Sequence, residues 1–85
     1  MNRNEQLARL LRGVGEPTRL RLLRLCADRP ATVSDLAAAL GESEPNVSRH
    51  LKLLAGLGLV VRSRRGQWVE YVAVAAEGSA RTAAA

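Results

Sequence analysis

Apolar residues recur along the chain with two different spacings, and the change of spacing separates helical from extended segments. Residues 4–12 carry leucines three and four positions apart, which predicts a first helix ended by Gly13 and Gly15. A second helix is predicted to open at Glu16-Pro17, because proline is tolerated in a first helical turn. It should stop before Pro30, since a residue that precedes proline is displaced from the helical region.

The next two helices are predicted to be short and joined by a tight turn. The sequence Thr32-Val33-Ser34-Asp35 has the pattern of a capping box, so a third helix should run from about Val33 to Leu40. Gly41 ends it, and Ser43 is suited to cap a fourth helix that stops at the glycines of residues 56–58. The inward-facing stripe of this fourth helix is expected to consist of Val47, Leu51 and Leu54.

Two extended segments follow the fourth helix. Leu59–Arg64 and Gln67–Val74 are rich in β-branched and aromatic residues, which predicts two strands with Arg65-Gly66 at the turn. Alternation along the second strand places on its core face Val69, Tyr71 and Ala73. Trp68 then faces the other way, and we interpret it as packing at the base of the hairpin or contacting a partner, with base stacking a minor alternative.

These elements predict one domain over residues 1–74, mainly α with a small β-hairpin, in the order α-α-α-α-β-β. A helix, a tight turn, a second helix and then a hairpin form the layout of a winged helix-turn-helix. Residues 75–85 lack periodicity and are expected to form a flexible tail. A further C-terminal helix is therefore expected to be short or absent.

Composition fits a small folded domain. The chain has 85 residues, of which 47% are hydrophobic, and no apolar run approaches the roughly 20 residues of a membrane span. We do not expect the first 13 residues to form a signal peptide, because Glu5, Arg9 and Arg12 interrupt any apolar region. The single cysteine fits a reducing compartment. We therefore expect a cytoplasmic protein with no membrane partner.

The net charge of +5 indicates a polyanionic partner, and its distribution sharpens that indication. Residues 47–69 contain five cations and no carboxylate, whereas the first 46 residues are closer to balanced. A basic surface that serves only solubility should be spread evenly, so the clustering favours nucleic acid. The five cations are Arg49, Lys52, Arg62, Arg64 and Arg65.

The polar face of the fourth helix has the chemistry of a DNA-reading surface. Asparagine pairs with adenine, arginine with guanine, and serine with bases or phosphates. The predicted DNA contacts on this face are Asn46, Ser48, Arg49, His50 and Lys52. In the hairpin, Arg62 and Arg64 should share one face and Arg65 should lie at the tip, all three contacting DNA. The alternatives are an ordinary solvated helix face and a charged strand edge that discourages aggregation.

Three segments together resemble the ArsR/SmtB-type (arsenic-repressor-like) winged-helix regulators of bacteria. They are GEPTRLRLLRLC, TVSDLAAALGESEPNVSRHLKLLAGLGLV and RRGQWVEYVA, and the resemblance covers roughly residues 7–74. It implies a dimeric repressor that binds a palindromic operator and releases it on sensing a metal or an oxidant. It also implies a dimer interface that includes the first helix, here Leu7, Leu10 and Leu11. The DNA contacts that it implies are Ser43, Asn46, Ser48, Arg49 and His50 on the fourth helix and Arg62, Arg64 and Arg65 in the hairpin.

The chain departs from this family where metals bind. Arsenic- and lead-type members carry Cys-Val-Cys-Asp-Leu, whereas residues 32–36 read Thr-Val-Ser-Asp-Leu, without either thiolate. Zinc- and nickel-type members use Asp and His on a C-terminal helix, and no histidine follows His50. We therefore expect no metal site and no cofactor. Cys26 is interpreted as a small buried apolar residue, with a redox-sensing thiol as the alternative.

The leading functional hypothesis is a sequence-specific, dimeric DNA-binding repressor of the ArsR type without the usual metal sites. The alternatives are a winged helix used for protein interaction, and the DNA-binding piece of a longer protein, for example one fused to a methyltransferase. An enzyme is not expected, because the chain lacks paired catalytic carboxylates, a nucleophile with its base, and a glycine-rich phosphate loop.

Overall fold

The computed structural model describes residues 2–74, which form four helices followed by a two-stranded antiparallel hairpin. This order confirms the predicted winged helix-turn-helix architecture. Two predictions, a flexible tail over residues 75–85 and a C-terminal helix that is short or absent, concern residues outside the described ones. Within residues 2–74 no helix is long and apolar enough to cross a membrane. The elements are α1 (Arg3–Val14), α2 (Pro17–Asp28), α3 (Val33–Leu40), α4 (Glu44–Gly56), β1 (Val60–Arg65) and β2 (Trp68–Ala73).

The prediction that Gly13 ends the first helix is wrong. Helix α1 continues through Gly13 to Val14, and Gly15 caps it by donating its N–H to the carbonyl of Leu11 at 2.8 Å. Gly13 is buried, and a Cβ at this position would overlap the Cδ1 atom of Leu57. The glycine therefore serves close packing between α1 and the end of α4, which local sequence signals do not distinguish from a helix stop.

The α3–turn–α4 unit forms as the sequence predicts. Thr32 and Asp35 make a reciprocal capping box at the start of α3. Gly41 ends α3 with φ of +67°, a left-handed conformation that glycine adopts without a steric penalty. The Oγ atom of Ser43 then accepts the backbone N–H of Asn46 at 3.2 Å and caps α4. Three residues thus separate the two helices.

The first strand and the turn of the hairpin are shifted by one residue from their predicted positions, and the second strand is one residue shorter at each end than predicted. Its turn is formed by Gly66, with φ of +62°, and Gln67, so Arg65 is the last residue of β1 rather than part of the turn. The β-strand register pairs Arg65 with Trp68 and places both at the tip.

The hairpin is joined to the helices through one residue of the α2–α3 connection. Ala31 exchanges two backbone hydrogen bonds with Tyr71 of β2, at 3.1 and 2.8 Å. A further hydrogen bond at 3.0 Å runs from the N–H of Val74 to the carbonyl of Leu59. These contacts fix the base of the hairpin and leave its tip free of the helices.

One hydrophobic core lies between the helices and the base of the hairpin. As predicted, α4 contributes its stripe of three residues, and β2 contributes Tyr71 and Ala73. Among the described residues no polar or charged side chain is buried. The core consists of Leu22, Cys26, Leu36, Ala37, Val47, Leu51, Leu54, Val60, Tyr71 and Ala73.

Candidate nucleic-acid interface

The N-terminal half of α4 presents a connected set of polar side chains. Ser43 is exposed, and its hydroxyl oxygen already serves as the helix cap. The amide nitrogen of Asn46 donates to the carboxylate of Glu42 at 3.0 Å, and its oxygen accepts from the guanidinium of Arg49. Arg49 is exposed, whereas Asn46 and Ser48 are half-buried. The free protein therefore holds Arg49 and Asn46 together at the end of the helix that the sequence predicts to read bases.

His50 is less accessible than the sequence predicts for a DNA contact. Its side chain is half-buried, and Nδ1 lies 3.4 Å from Nη1 of Arg19 on α2. Lys52, two residues further along, is exposed. Arg49 and Lys52 thus face solvent, while His50 faces a neighbouring helix.

The wing, residues 60–73, divides its arginines between two faces. Side chains of directly paired residues lie on one side of an antiparallel hairpin. Arg62 pairs with Tyr71 and Arg64 pairs with Val69, so these two arginines share one face of the hairpin, as predicted. This face is the one that carries Tyr71 in the core, extended toward the tip. Arg65 lies on the opposite face, where its guanidinium is 3.7 Å from the carboxylate of Glu70. All three arginines are exposed.

Trp68 lies at the tip of the wing and not at its base, contrary to our first interpretation. It is the first residue of β2, directly paired with Arg65, and 62% of its side chain is exposed. The one-residue shift of the turn explains the difference, because it brings Trp68 next to the loop. The alternative interpretation, contact with a partner, remains compatible with this position.

Two groups near the helices have shifted pKa values. The pKa of Glu16 is lowered, chiefly because its carboxylate accepts the backbone N–H of Arg19 at 3.0 Å as the cap of α2. Partial desolvation opposes this shift, and the N–H of Thr18 and the charges of His50 and Arg19 lower the pKa further. Burial raises the pKa of the Cys26 thiol to about 11. The carboxylate of Glu16 is thus placed beside the contact between α2 and α4.

Among residues 2–74 no group of three or more His, Cys, Asp or Glu side chains is placed to hold a metal ion. The carboxylates at Asp35, Glu42 and Glu44 instead serve the helix starts of α3 and α4.

Two structurally important residues were missed by the sequence analysis. Arg19 donates to carbonyls of α1 and reaches His50, although an arginine between Thr18 and Leu20 in the first turn of α2 is typical of a solvent-facing residue. Ala31 pairs with Tyr71, although a single alanine between Pro30 and Thr32 carries no strand signal. Both contacts join elements distant in sequence, so no local pattern could have revealed them.

Comparison with known proteins places this geometry among bacterial regulators. A family model described as a helix-turn-helix domain matches residues 14–63. The HTH-type transcriptional regulator CmtR of Mycobacterium tuberculosis is 45% identical over 69 residues, which cover 81% of this chain and 58% of that protein. The chain therefore spans somewhat more than half the length of this relative.

Solved structures agree with the sequence comparison. An ArsR-like transcriptional regulator from Rhodococcus sp. RHA1 superposes with a TM-score of 0.79 at 28% identity, covering 93% of this chain and 76% of that one. The winged helix-turn-helix domain Mb0332 from Mycobacterium bovis, described as homodimeric and DNA-binding, gives a TM-score of 0.78 at 32% identity. That match covers 94% of this chain and 73% of the Mycobacterium bovis domain.

Proposed function

Because the chain belongs to the ArsR family of winged helix-turn-helix transcriptional regulators, we propose that it binds a palindromic operator as a homodimer and represses transcription. Two copies would place their α4 helices in successive major grooves, about 34–36 Å apart. The wing of each copy would follow the flanking phosphates. Each copy would act in the cytoplasm, without catalysis of its own.

The observation that carries this proposal is the shared exposure of all five cations on α4 and the wing. Arg65 is the one of these five with a carboxylate partner among the described residues, and that surface pair is expected to contribute only about 0–1 kcal/mol. Binding to phosphates can therefore replace it at little cost. The other four are Arg49, Lys52, Arg62 and Arg64.

The roles of the contact residues follow from their positions. Asn46 and Arg49 are proposed to meet base edges, with Ser48 beside them. Ser43 is proposed to donate its hydroxyl hydrogen to a phosphate while its oxygen caps α4. The remaining proposed contacts, which position the protein without reading sequence, are His50, Lys52, Arg62, Arg64 and Arg65.

The dimer is proposed to form through α1. Leu7 and Leu11 of this helix are 53% and 60% exposed, while Leu10 is half-buried. Two exposed leucines one helical turn apart form an apolar strip suited to the centre of an interface. The homodimeric description of the Mycobacterium bovis domain supports this assembly.

The proposal is tested by selecting bound duplexes from a randomised DNA pool and titrating the enriched duplex against salt. We expect an enriched palindrome and a log–log salt slope of about −7, because four phosphate-binding cations in each copy would displace about eight counterions. Salt-sensitive binding without enrichment would contradict sequence-specific operator binding. Absence of binding to any duplex at low salt would favour the protein-interaction alternative.

A further inference from the structure

Arg19 connects three elements through one guanidinium group. Its Nε donates to the carbonyl of Gly13 at 2.5 Å, and its Nη2 donates to the carbonyl of Arg12 at 3.4 Å. Both carbonyls belong to the last turn of α1, where backbone acceptors have no partner within the helix. The third nitrogen, Nη1, lies 3.4 Å from Nδ1 of His50 on α4. The contacts to Gly13 and His50 are partly buried, whereas the contact to Arg12 is exposed.

The contact to His50 also fixes how the imidazole is oriented. A guanidinium can only donate, so a hydrogen bond at this contact requires Nδ1 as the acceptor and, in the neutral ring, a hydrogen on Nε2. Glu16 adds to the same cluster, since its carboxylate caps the backbone N–H of Arg19. The guanidinium is thus held between the last turn of α1 and the middle of α4.

A second contact joins α1 and α4 close by. Gly13, whose carbonyl accepts from Arg19, packs so closely on Leu57 that a Cβ would overlap it. The end of α1 is therefore connected to α4 at two places. Arg19 bridges it to His50, and Gly13 packs directly on Leu57, the residue that caps α4. Two separated attachments resist rotation of one helix about the other more strongly than either alone.

We propose that Arg19 is a positioning residue that fixes the orientation of α4 relative to α1 through the carbonyls of Arg12 and Gly13 and the imidazole of His50. The proposal rests on the proposed function, in which α1 forms the dimer and α4 enters the major groove. In such a dimer, the angle between α1 and α4 sets the distance between the two α4 helices. Arg19 therefore determines which half-site spacing the protein accepts, without itself contacting a base.

The first test does not involve DNA. His50 is the only histidine of the chain, so its ring nitrogens give an unambiguous ¹⁵N NMR signal. At alkaline pH, where the imidazole is neutral, the wild-type ring should hold its hydrogen on Nε2. Arg19→Gln and Arg19→Lys should increase the population with hydrogen on Nδ1. Arg21→Gln, an exposed position on the same helix with the same loss of charge, should leave the signal unchanged.

The second test measures spacing selectivity with the duplex enriched from the randomised pool. Wild type and Arg21→Gln should bind it about tenfold more tightly than duplexes whose half-sites are moved by one or two base pairs. Arg19→Gln and Arg19→Lys should reduce that preference to about threefold or less, with affinity for a single half-site retained. The lysine variant keeps the positive charge but lacks the planar set of N–H donors of a guanidinium. It therefore distinguishes the effect of hydrogen-bond geometry from that of charge.

The outcomes distinguish this proposal from the proposed function. An imidazole signal that is insensitive to Arg19 overturns the link, whether or not DNA binds. A sensitive imidazole with unchanged spacing preference overturns the positioning role while leaving operator binding intact. A uniform loss of single-half-site affinity, with a lowered melting temperature, would make Arg19 a stability residue only. If no duplex binds, the proposed function fails and Arg19 cannot set half-site spacing. The NMR signal of the imidazole then tests only the contact between Arg19 and His50.

Discussion

At the scale of single residues, burial lowers the reactivity of the Cys26 thiol. Its side chain is completely buried in the core, and burial raises the pKa of its thiol to about 11 from an ordinary value of 9.0. The reactive form of cysteine is the thiolate, which this environment disfavours. The structure thus supports the interpretation of Cys26 as a small apolar core residue over that of an exposed redox sensor.

We expect Cys26 to react with a disulfide reagent such as DTNB only when the protein unfolds. The fold favours the neutral thiol, so this contribution to stability is complete below about pH 9 and is lost as the pH rises toward about 11. The measurement is the release of thionitrobenzoate at pH 8, compared with the unfolding rate and with a control in concentrated guanidinium chloride. Reaction of the native protein much faster than unfolding would contradict the assignment.

Also at the residue scale, the two proposed classes of DNA contact predict different losses. Arg49→Ala should weaken binding to the enriched duplex by about 1–3 kcal/mol and relax the preference at one base position. Arg64→Ala should weaken binding to specific and random duplexes alike and make the salt slope less steep by about one unit per protomer. Competition titrations at several salt concentrations measure both effects.

A matched control for these variants is Arg24→Ala, which removes the same charge from an exposed position on α2. This variant should bind both kinds of duplex nearly as the wild type does. Equal losses on specific and random DNA for Arg49→Ala and Arg64→Ala would overturn the division between base-reading and phosphate-binding residues.

At the scale of secondary-structure elements, some helix ends are set by neighbouring residues in the sequence, and others depend on contacts with another element. The starts of α3 and α4 follow from Thr32, Asp35 and Ser43, each of which caps backbone groups within three residues. The end of α1 does not follow from its glycines, because Gly13 is inside the helix and is needed for contact with Leu57. A residue that serves a neighbouring element carries no distinguishing local signal.

We expect Gly13→Ala to destabilise the protein by about 1 kcal/mol. Alanine favours a helix over glycine by about 0.5–1 kcal/mol, but overpacking against Leu57 costs about 1–3 kcal/mol. In a Leu57→Ala background the overlap is removed, so the same change should become stabilising by up to about 1 kcal/mol. Urea unfolding of the four proteins in this cycle measures the free energies of unfolding.

Gly56→Ala is the control for this cycle, since Gly56 is also helical and a Cβ there would meet nothing within 4 Å. It should be neutral or stabilising. A Gly13→Ala variant as stable as Gly56→Ala would show that the end of the Leu57 side chain moves aside, so that this packing contact does not fix the orientation of α1 relative to α4.

At the scale of the whole molecule, the exposed leucines of α1 predict an assembly. Leu11→Lys should shift the protein toward a monomer, because a charge at the centre of an apolar interface is left without its hydration. Leu20→Lys is the matched control: Leu20 is 49% exposed on α2 and outside the proposed interface. Sedimentation velocity over a range of concentrations measures the dissociation constant.

Affinity for the palindromic duplex should depend on dimerisation. Leu11→Lys should lose affinity for the enriched palindrome and keep its weak affinity for a single half-site, since one α4 helix still reaches one major groove. A wild-type protein that is monomeric at all concentrations, or a Leu11→Lys variant that dimerises normally, would place the interface outside the α1 strip.

Four features could be predicted from the amino-acid sequence alone: the order of elements, the α3–α4 unit, the inward stripe of α4, and the basic character of α4 and the wing. These features depend on periodicity, capping and charge, which act within a few residues and can therefore be recognised locally. The predicted sharing of one face by Arg62 and Arg64 also needed only strand alternation. The contact roles of these residues remain predictions.

The contacts between side chains of distant elements could be recognised only in the folded structure. The link from Arg19 to α1 and His50, the pairing of Ala31 with Tyr71, and the packing of Gly13 on Leu57 all span elements separated along the chain. Such contacts depend on where the folded backbone places two groups, and many sequences with the same hydrophobic pattern would lack them. The physical reason is that hydrophobic periodicity specifies which face of an element is buried, but not which polar atom it meets there.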